Sequence, residues 1–218
     1  MNEYDAIYFR GCIMAMKLDN MQALLIEELN DLYSTEEQII DVLPQMISAV
    51  SSPQLKDSFQ QHLQQTQKQK DRLDRVFREF GASPEHKKCK GMEGILNEGK
   101  DIAKAKGNPQ VRDAALISAA QRVEHYEMAG YGSARSFAQV VGRRDVADIL
   151  QQTLNEEGET DKKLTQVAVD QINEQAASAS QGSQSWQAQG RSHPSTRSRS
   201  ASQSETRRST GRARRGNR

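Results

Sequence analysis

The chain has 218 residues, which suits one domain with extensions or two small domains. Its composition, 35% hydrophobic with an aromatic share of only 5%, favours helices over sheets, and no run approaches the ~18 apolar residues of a membrane-spanning helix. The net charge of +1 conceals two regions of opposite sign: residues 176–218 hold nine arginines and one acid, Glu205, for a local +8, which leaves −7 on residues 1–175.

The opening stretch, MNEYDAIYFRGCIMAMK, has no helical periodicity and lacks the basic start and apolar core of a signal peptide. Residues 1–16 are expected to form a poorly ordered extension, or to follow from a start codon upstream of an equally good one at Met14 or Met16. Cys12 and Cys89 form no CxxC pair, which argues against a zinc ribbon or a dithiol redox motif. A reducing cytoplasm is the simplest setting.

The first helix is expected to start at Asp19, a good capping residue. Leu25, Leu29, Leu32, Ile39, Ile40, Leu43 and Ile47 then keep the rhythm of one helix face, and Pro44 should kink or locally break it. Ser52 caps a second helix with Pro53 at its first position, and Leu55, Phe59, Leu63, Leu73, Phe77 and Phe80 mark its core face. Residues 84–109 read as a less regular connection holding one short helix around 92–105. A third helix over about 109–140 carries Val111, Leu116, Ala120, Val123, Met128 and Tyr131. Gly130 and Gly132 either weaken it or allow a close helix contact, and Gly142 suits its C-terminal cap. The fourth, from Asp145 to about Gln175, carries Val146, Ile149, Leu150, Leu164, Val167 and Ile172. Beyond Gln175 the chain is rich in Ser, Gln, Gly and Arg, with Trp186 as its one large apolar residue, and reads as disordered. Two helices, a long connection and two more helices predict an all-α antiparallel four-helix bundle over residues 17–175, because a long connection lets the third helix start at the opposite end.

Acids occupy places where the helical rhythm calls for apolar residues. Glu36 lies four residues after Leu32 and four before Ile40, Glu124 four after Ala120 and four before Met128, and Glu157 seven after Leu150 and seven before Leu164. Three helices thus point a carboxylate inward near their middles. Buried carboxylates are usually paired, protonated or metal-bound, and several at one level repel each other unless a cation sits among them. Di-iron and di-manganese bundles are built this way. Glu124 has Glu127 one turn on, and Glu157 has Thr160 and Asp161. Hard oxygen ligands suit iron or manganese, whereas zinc sites use more His or Cys. The competing reading is three boundary residues whose carboxylates reach water.

The second helix departs from the di-metal pattern. Its stripe passes Phe59, His62, Thr66, Gln69 and Leu73 and contains no Glu-x-x-His, offering His62, Gln65 and Gln69 instead. His62 has a ring nitrogen able to ligate, although a lone boundary His is as well explained by hydrogen bonding, and Gln carbonyls are weak neutral ligands. The candidate metal residues are Glu36, His62, Gln65, Glu124, Glu127, Glu157 and Asp161, with iron or manganese as the ion.

The stretches EELNDLYSTEEQI, SSPQLKDSFQQHLQQT, CKGMEGILNEG, VRDAALISAAQRVEHYEMAGYG and LNEEGETDKKLT resemble one bacterial family, the ferritin-like stress proteins typified by YciF and YciE. The resemblance covers residues 17–175, and the VRDAALISAAQRVEHYEMAGYG segment is its most specific part. It implies a ferritin-like bundle, a homodimer, a candidate di-iron centre between the helices and an association with bacterial stress responses. Glu36, Glu124, Glu127, Glu157 and Asp161 match family positions. Members commonly carry HLEET where this chain has His62-Leu63-Gln64-Gln65-Thr66, so both acids of that motif are glutamines here, which points to a single-metal or empty site as the alternative to a full di-iron one.

The basic tail lies outside the resemblance. Its arginines, among them Arg207, Arg208, Arg212, Arg214 and Arg215, are suited to sequence-independent, salt-sensitive binding of a nucleic-acid backbone, with a solubilising tail as the plain alternative. Three functions therefore compete: a metal-binding bundle that binds iron and oxidises it or handles peroxide, a non-catalytic dimeric stress scaffold, and a nucleic-acid-associated protector. GMEGILNEGK is a near miss for a phosphate-binding loop, with the wrong spacing and no preceding strand.

Overall fold

A computed structural model describes residues 18–85 and 87–179. The expectations for residues 1–16 and for the tail beyond 179, its arginines included, lie outside the described residues. Among the described residues the chain forms five α-helices: α1 (Met21–Ala49), α2 (Pro53–Glu79), α3 (Lys90–Lys104), α4 (Pro109–Val140) and α5 (Arg144–Val167). A π-helical turn, Ala168–Ile172, follows α5, and the chain stays helical to residue 179. No helix is long and apolar enough to cross a membrane among the described residues.

The helix ends follow their capping chemistry. Ala23 N–H donates to Asn20 Oδ1 at 2.9 Å, so the first cap is Asn20, one residue later than the expected Asp19. Leu55 N–H donates to Ser52 Oγ, with Pro53 in the first turn of α2, and the Asn108 side chain accepts from Gln110 and Val111 ahead of α4. Gly142 takes φ +80° after α4, which lets the Arg143 N–H turn back to the Ala138 carbonyl. The break expected at Pro44 does not occur: α1 runs through it. Pro44 lies near the end of the helix on its exposed face, where the Ile40 carbonyl that it leaves without an N–H donor turns to water.

α1, α2, α5 and α4 form the four sides of the bundle, each packed against the next and antiparallel to it. The long connection from α2 climbs back along α1. Glu85 N–H donates to Asn30 Oδ1, Cys89 N–H to Ser34 Oγ, and Gln38 Nε2 to the Cys89 carbonyl. α3 continues in the same direction across α1 and α4 and brings Gly99 against Met46. α4 therefore begins beside the end of α1, where buried Asp113 accepts the N–H groups of Ser51 and Ser52 at 2.9 and 2.8 Å. Further along, a Cβ at Gly130 would come within 2.8 Å of Leu32 Cδ2, so glycine lets α4 close on α1, whereas Gly132 faces open space.

The apolar core is divided in two. One cluster, including Ile39, Leu43, Leu55, Phe59, Leu116 and Leu164, fills the end that α3 covers. The other, including Leu25, Leu29, Leu73, Phe77, Ala134 and Leu150, fills the opposite end. A belt of polar side chains lies between them.

Candidate metal centre

The belt is assembled from one or two turns of each bundle helix. α1 presents Thr35 and Glu36, α2 His62, Thr66 and Gln69, α4 Glu124, Glu127 and Tyr131, and α5 Thr153 and Glu157. Glu36, Glu124, Glu127 and Glu157 are each 0% exposed, and His62 only 6%. They are inward because helical periodicity gives them no other face: Leu32 and Ile39 flank Glu36, Ala120 and Val123 precede Glu124, and Thr153 and Leu164 bracket Glu157 on the buried stripe.

Three groups converge. One ligand atom each from His62, Glu124 and Glu127 lie within 4.8 Å of one another. His62 Nε2 is 3.4 Å from Glu124 Oε1, yet neither atom is aligned for a hydrogen bond. Both ring nitrogens of His62 and all four carboxyl oxygens of Glu124 and Glu127 are without a hydrogen-bond partner, and the neighbour of Glu124 across the belt is another carboxyl, Glu157, which pairs with it only if one of the two is protonated. Glu36 and Glu157 are better satisfied on one side. Tyr131 Oη donates to Glu36 Oε1 and Gln69 Nε2 to Glu157 Oε1, leaving Glu36 Oε2, Glu157 Oε2 and Gln69 Oε1 without partners.

Burial and mutual repulsion dominate the electrostatics. Burial first, then the Glu157 charge, pushes Glu36, Glu124 and Glu127 well above the ordinary carboxylate range. Glu157 is pushed up to about 7, chiefly by burial. Burial also lowers His62 to about 4, so its imidazole is neutral and available as a ligand. Behind the belt Arg72 makes a two-pronged bond to Glu156 at 2.7 Å on each prong, and Gln69 Nε2 donates to Glu156 Oε2 at 3.2 Å. This pair fixes the Gln69 amide with its nitrogen toward Glu156 and Glu157 and its oxygen buried without a partner.

The structure brings Glu36, His62, Glu124, Glu127 and Glu157 together. It places Gln65 and Asp161 elsewhere. Gln65 is half-buried on the α2–α5 seam, where its Nε2 donates to Thr160 Oγ1, and Asp161 accepts from Gln121 Nε2 at 2.9 Å with His125 Nε2 at 3.3 Å on the outer α4–α5 surface. Both border the buried stripe: Asp161 is about 40° from Glu157 by helical phase and Gln65 about 60° from His62. The glutamine that enters the belt is Gln69, three residues beyond Thr66 on the same stripe, and Tyr131 and Thr35 belong to the belt as well. Their burial followed the stripe, but their polar roles depend on partners from other helices.

The chemistry of the donor set fits a hard or borderline cation. Four carboxylates, one neutral imidazole and the buried amide oxygen of Gln69, many without protein partners, suit iron or manganese better than a thiolate-seeking metal. Protein YciF of Escherichia coli K12 is 38% identical over 162 residues, which span 74% of this chain and 98% of that protein. The crystal structure of the E. coli stress protein YciF superposes with a TM-score of 0.69 over 71% of this chain and 98% of that one, at 38% identity. YcfI from Rhodopseudomonas palustris superposes with a TM-score of 0.68 at 37% identity, again over 71% of this chain and 98% of its own. Residues 20–177 match the family model described as a domain of unknown function, DUF892. By that match and by its likeness to YciF, the chain belongs to the DUF892 family of YciF-like helical-bundle proteins.

Proposed function

We propose that this YciF-like stress protein binds iron in its buried belt, with His62, Glu124 and Glu127 as the first ion's ligands and Glu36 and Glu157 available to a second. The carrying observation is the set of unpartnered oxygens and nitrogens on fully buried side chains. Leaving such groups without partners costs about 1–3 kcal/mol each, more if charged, and a cation removes both that cost and the repulsion among the acids. Bound iron would supply a Lewis acid and a one-electron redox couple. Around it the chain's own residues hold the ligands in place: Tyr131 orients Glu36, while Gln69, braced by Glu156 and Arg72, orients Glu157.

The second reading is a non-catalytic stress scaffold without metal. The hydrogen bonds of Tyr131 to Glu36 and of Gln69 to Glu157 favour it, since they satisfy two of the inner acids from protein donors. Glu124, Glu127 and His62 have no such donors, which tips the balance to metal. The test is metal content after expression with iron supplied. One to two irons per chain in the native protein, lost in Glu124→Ala and Glu127→Ala, supports the centre. Background iron that ignores both substitutions rejects it.

A further inference from the structure

A groove of about 370 Å³ runs between α2 and α5 and ends on the belt. Most of the surface it exposes is carbon, although its lining is built largely of polar side chains such as Gln61, Gln65, Thr160 and Lys163; Phe59 and Leu164 close it from beneath, and its floor includes His62 and Glu124. The same three residues Phe59, His62 and Glu124 also border an internal, largely apolar cavity of about 20 Å³ on the core side. The belt is therefore loosely packed around His62, and it is reached from one side of the bundle.

Both acids of the rim have cationic partners, Glu156 in Arg72 and Glu159 in Lys162, and the Lys163 Nζ donates to the neutral Gln61 Oε1. The volume falls in the range of small-molecule sites and exceeds what a water or a bare cation needs. At the floor, both ring nitrogens of His62 and both oxygens of Glu124 are buried and without a hydrogen-bond partner, so the unsatisfied polar groups of the groove are at its inner end.

We propose that the α2–α5 groove binds a small organic molecule, with a body of a few carbons lying along its mostly carbon surface and an oxygen-bearing head directed to His62 and Glu124. The proposal rests on the metal reading insofar as an ion at His62 and Glu124 would receive that head. The groove itself is a property of the protein alone. It makes the belt a reaction or sensing site with a selective organic ligand, distinct from a closed store for ions.

Alkyl hydroxamic acids are suitable probes, being uncharged near neutral pH and good oxygen ligands for ferric iron. The full chain, metal-free and iron-loaded, is titrated with acetohydroxamic and hexanohydroxamic acid. Binding is read by NMR shifts at Phe59 and Leu164 in the metal-free protein and by the ferric–hydroxamate absorption band in the loaded one. The longer chain is expected to bind about tenfold tighter in both forms, as burial of several further methylenes in a half-open groove implies. Thr160→Trp, which fills the groove wall away from the belt, should abolish that preference and leave iron stoichiometry unchanged. Asn155→Trp at the exposed edge serves as the second filling variant should Thr160→Trp fail to fold. Equal affinities for the two acids, or a preference that survives both fillings, would overturn the groove site. A chain-length preference in a protein that takes up no iron would sustain the groove and sink the metal centre instead.

Discussion

His62 Nε2 stands 3.4 Å from Glu124 Oε1 with no hydrogen bond between them, both side chains being buried. An aligned pair would satisfy both groups, and the two helices are close enough to have made one. A spacing that leaves both atoms facing a third position suits two ligands of one ion. Glu124→Gln is therefore expected to act in opposite directions on two measurements. Without metal it removes a buried acid among acids and should raise stability by about 1–3 kcal/mol in urea unfolding. With iron it should lower affinity at least tenfold. Loss of stability in the metal-free variant would contradict this account of the pair.

The belt also sets how stability responds to pH. Carboxyls held above their unfolded values bind protons that the unfolded chain has already released, so the folded state loses ground as pH rises above 4.5 and through about 7, where Glu157 titrates. His62, lowered to about 4, acts oppositely but only between about 4 and 6.5, where the unfolded imidazole holds a proton and the folded one does not. Raising Glu157 alone from 4.5 to about 7 costs about 3 kcal/mol once the solution is well above pH 7. The melting temperature of the metal-free protein should fall steadily from pH 6 to 8.5. Saturating iron should flatten or reverse the slope, because metal binding releases the same protons.

Tyr131 is the donor that Glu36 depends on. Tyr131→Phe leaves that buried carboxyl without a partner and should cost about 1–3 kcal/mol in the metal-free protein. Tyr33→Phe is the comparison. Tyr33 Oη accepts from Lys70 Nζ at 2.7 Å at the bundle's edge, where lysine can turn to water, and its loss should cost under about 1 kcal/mol. Denaturant midpoints for the two variants test the difference. Equal losses would remove the special standing of the Tyr131–Glu36 bond.

Two glycines two residues apart on α4 should respond differently to alanine. At Gly132 a methyl meets open space, and the better helix former should stabilise by about 0.5–1 kcal/mol. At Gly130 the methyl would lie 2.8 Å from Leu32 Cδ2, and Leu32 is fully packed, so the same helical gain is offset by overpacking. Thermal melts should separate the two variants by about 1–2 kcal/mol, Gly130→Ala being the weaker.

Much of the bundle could be read from spacing. The apolar positions of α1, α2 and α5 repeat at helical spacing, those of α4 less regularly, since Val111 is exposed and Met128 only half-buried, and the 80–108 connection is long enough to carry the chain from one end of the bundle to the other. Glu36, Glu124 and Glu157 stood out because each falls on a stripe whose neighbours are apolar. Gln65 and Gln69 were harder to separate, because a single position is ambiguous near a stripe's edge, and the choice is made by partners on α5 that no local pattern specifies: Thr160 for Gln65, and Glu156 with Glu157 for Gln69. The persistence of α1 through Pro44 depended on which face the proline occupies near a helix end. The groove along α2 and α5 had no signature in either helix alone, since it exists only in the gap between them.

The π turn at Ala168–Ile172 has a consequence for anyone who edits this end of the chain. Val167 and Ile172 both face the core although five residues separate them, a step too wide for an ordinary α-turn, and Ala176 follows at the usual four. Everything after Val167 is thus one residue out of phase with the helix before it. Truncations, tags or grafted segments joined here must count their phase from Ile172, because a junction counted from Leu164 would rotate the last inward side chains into water.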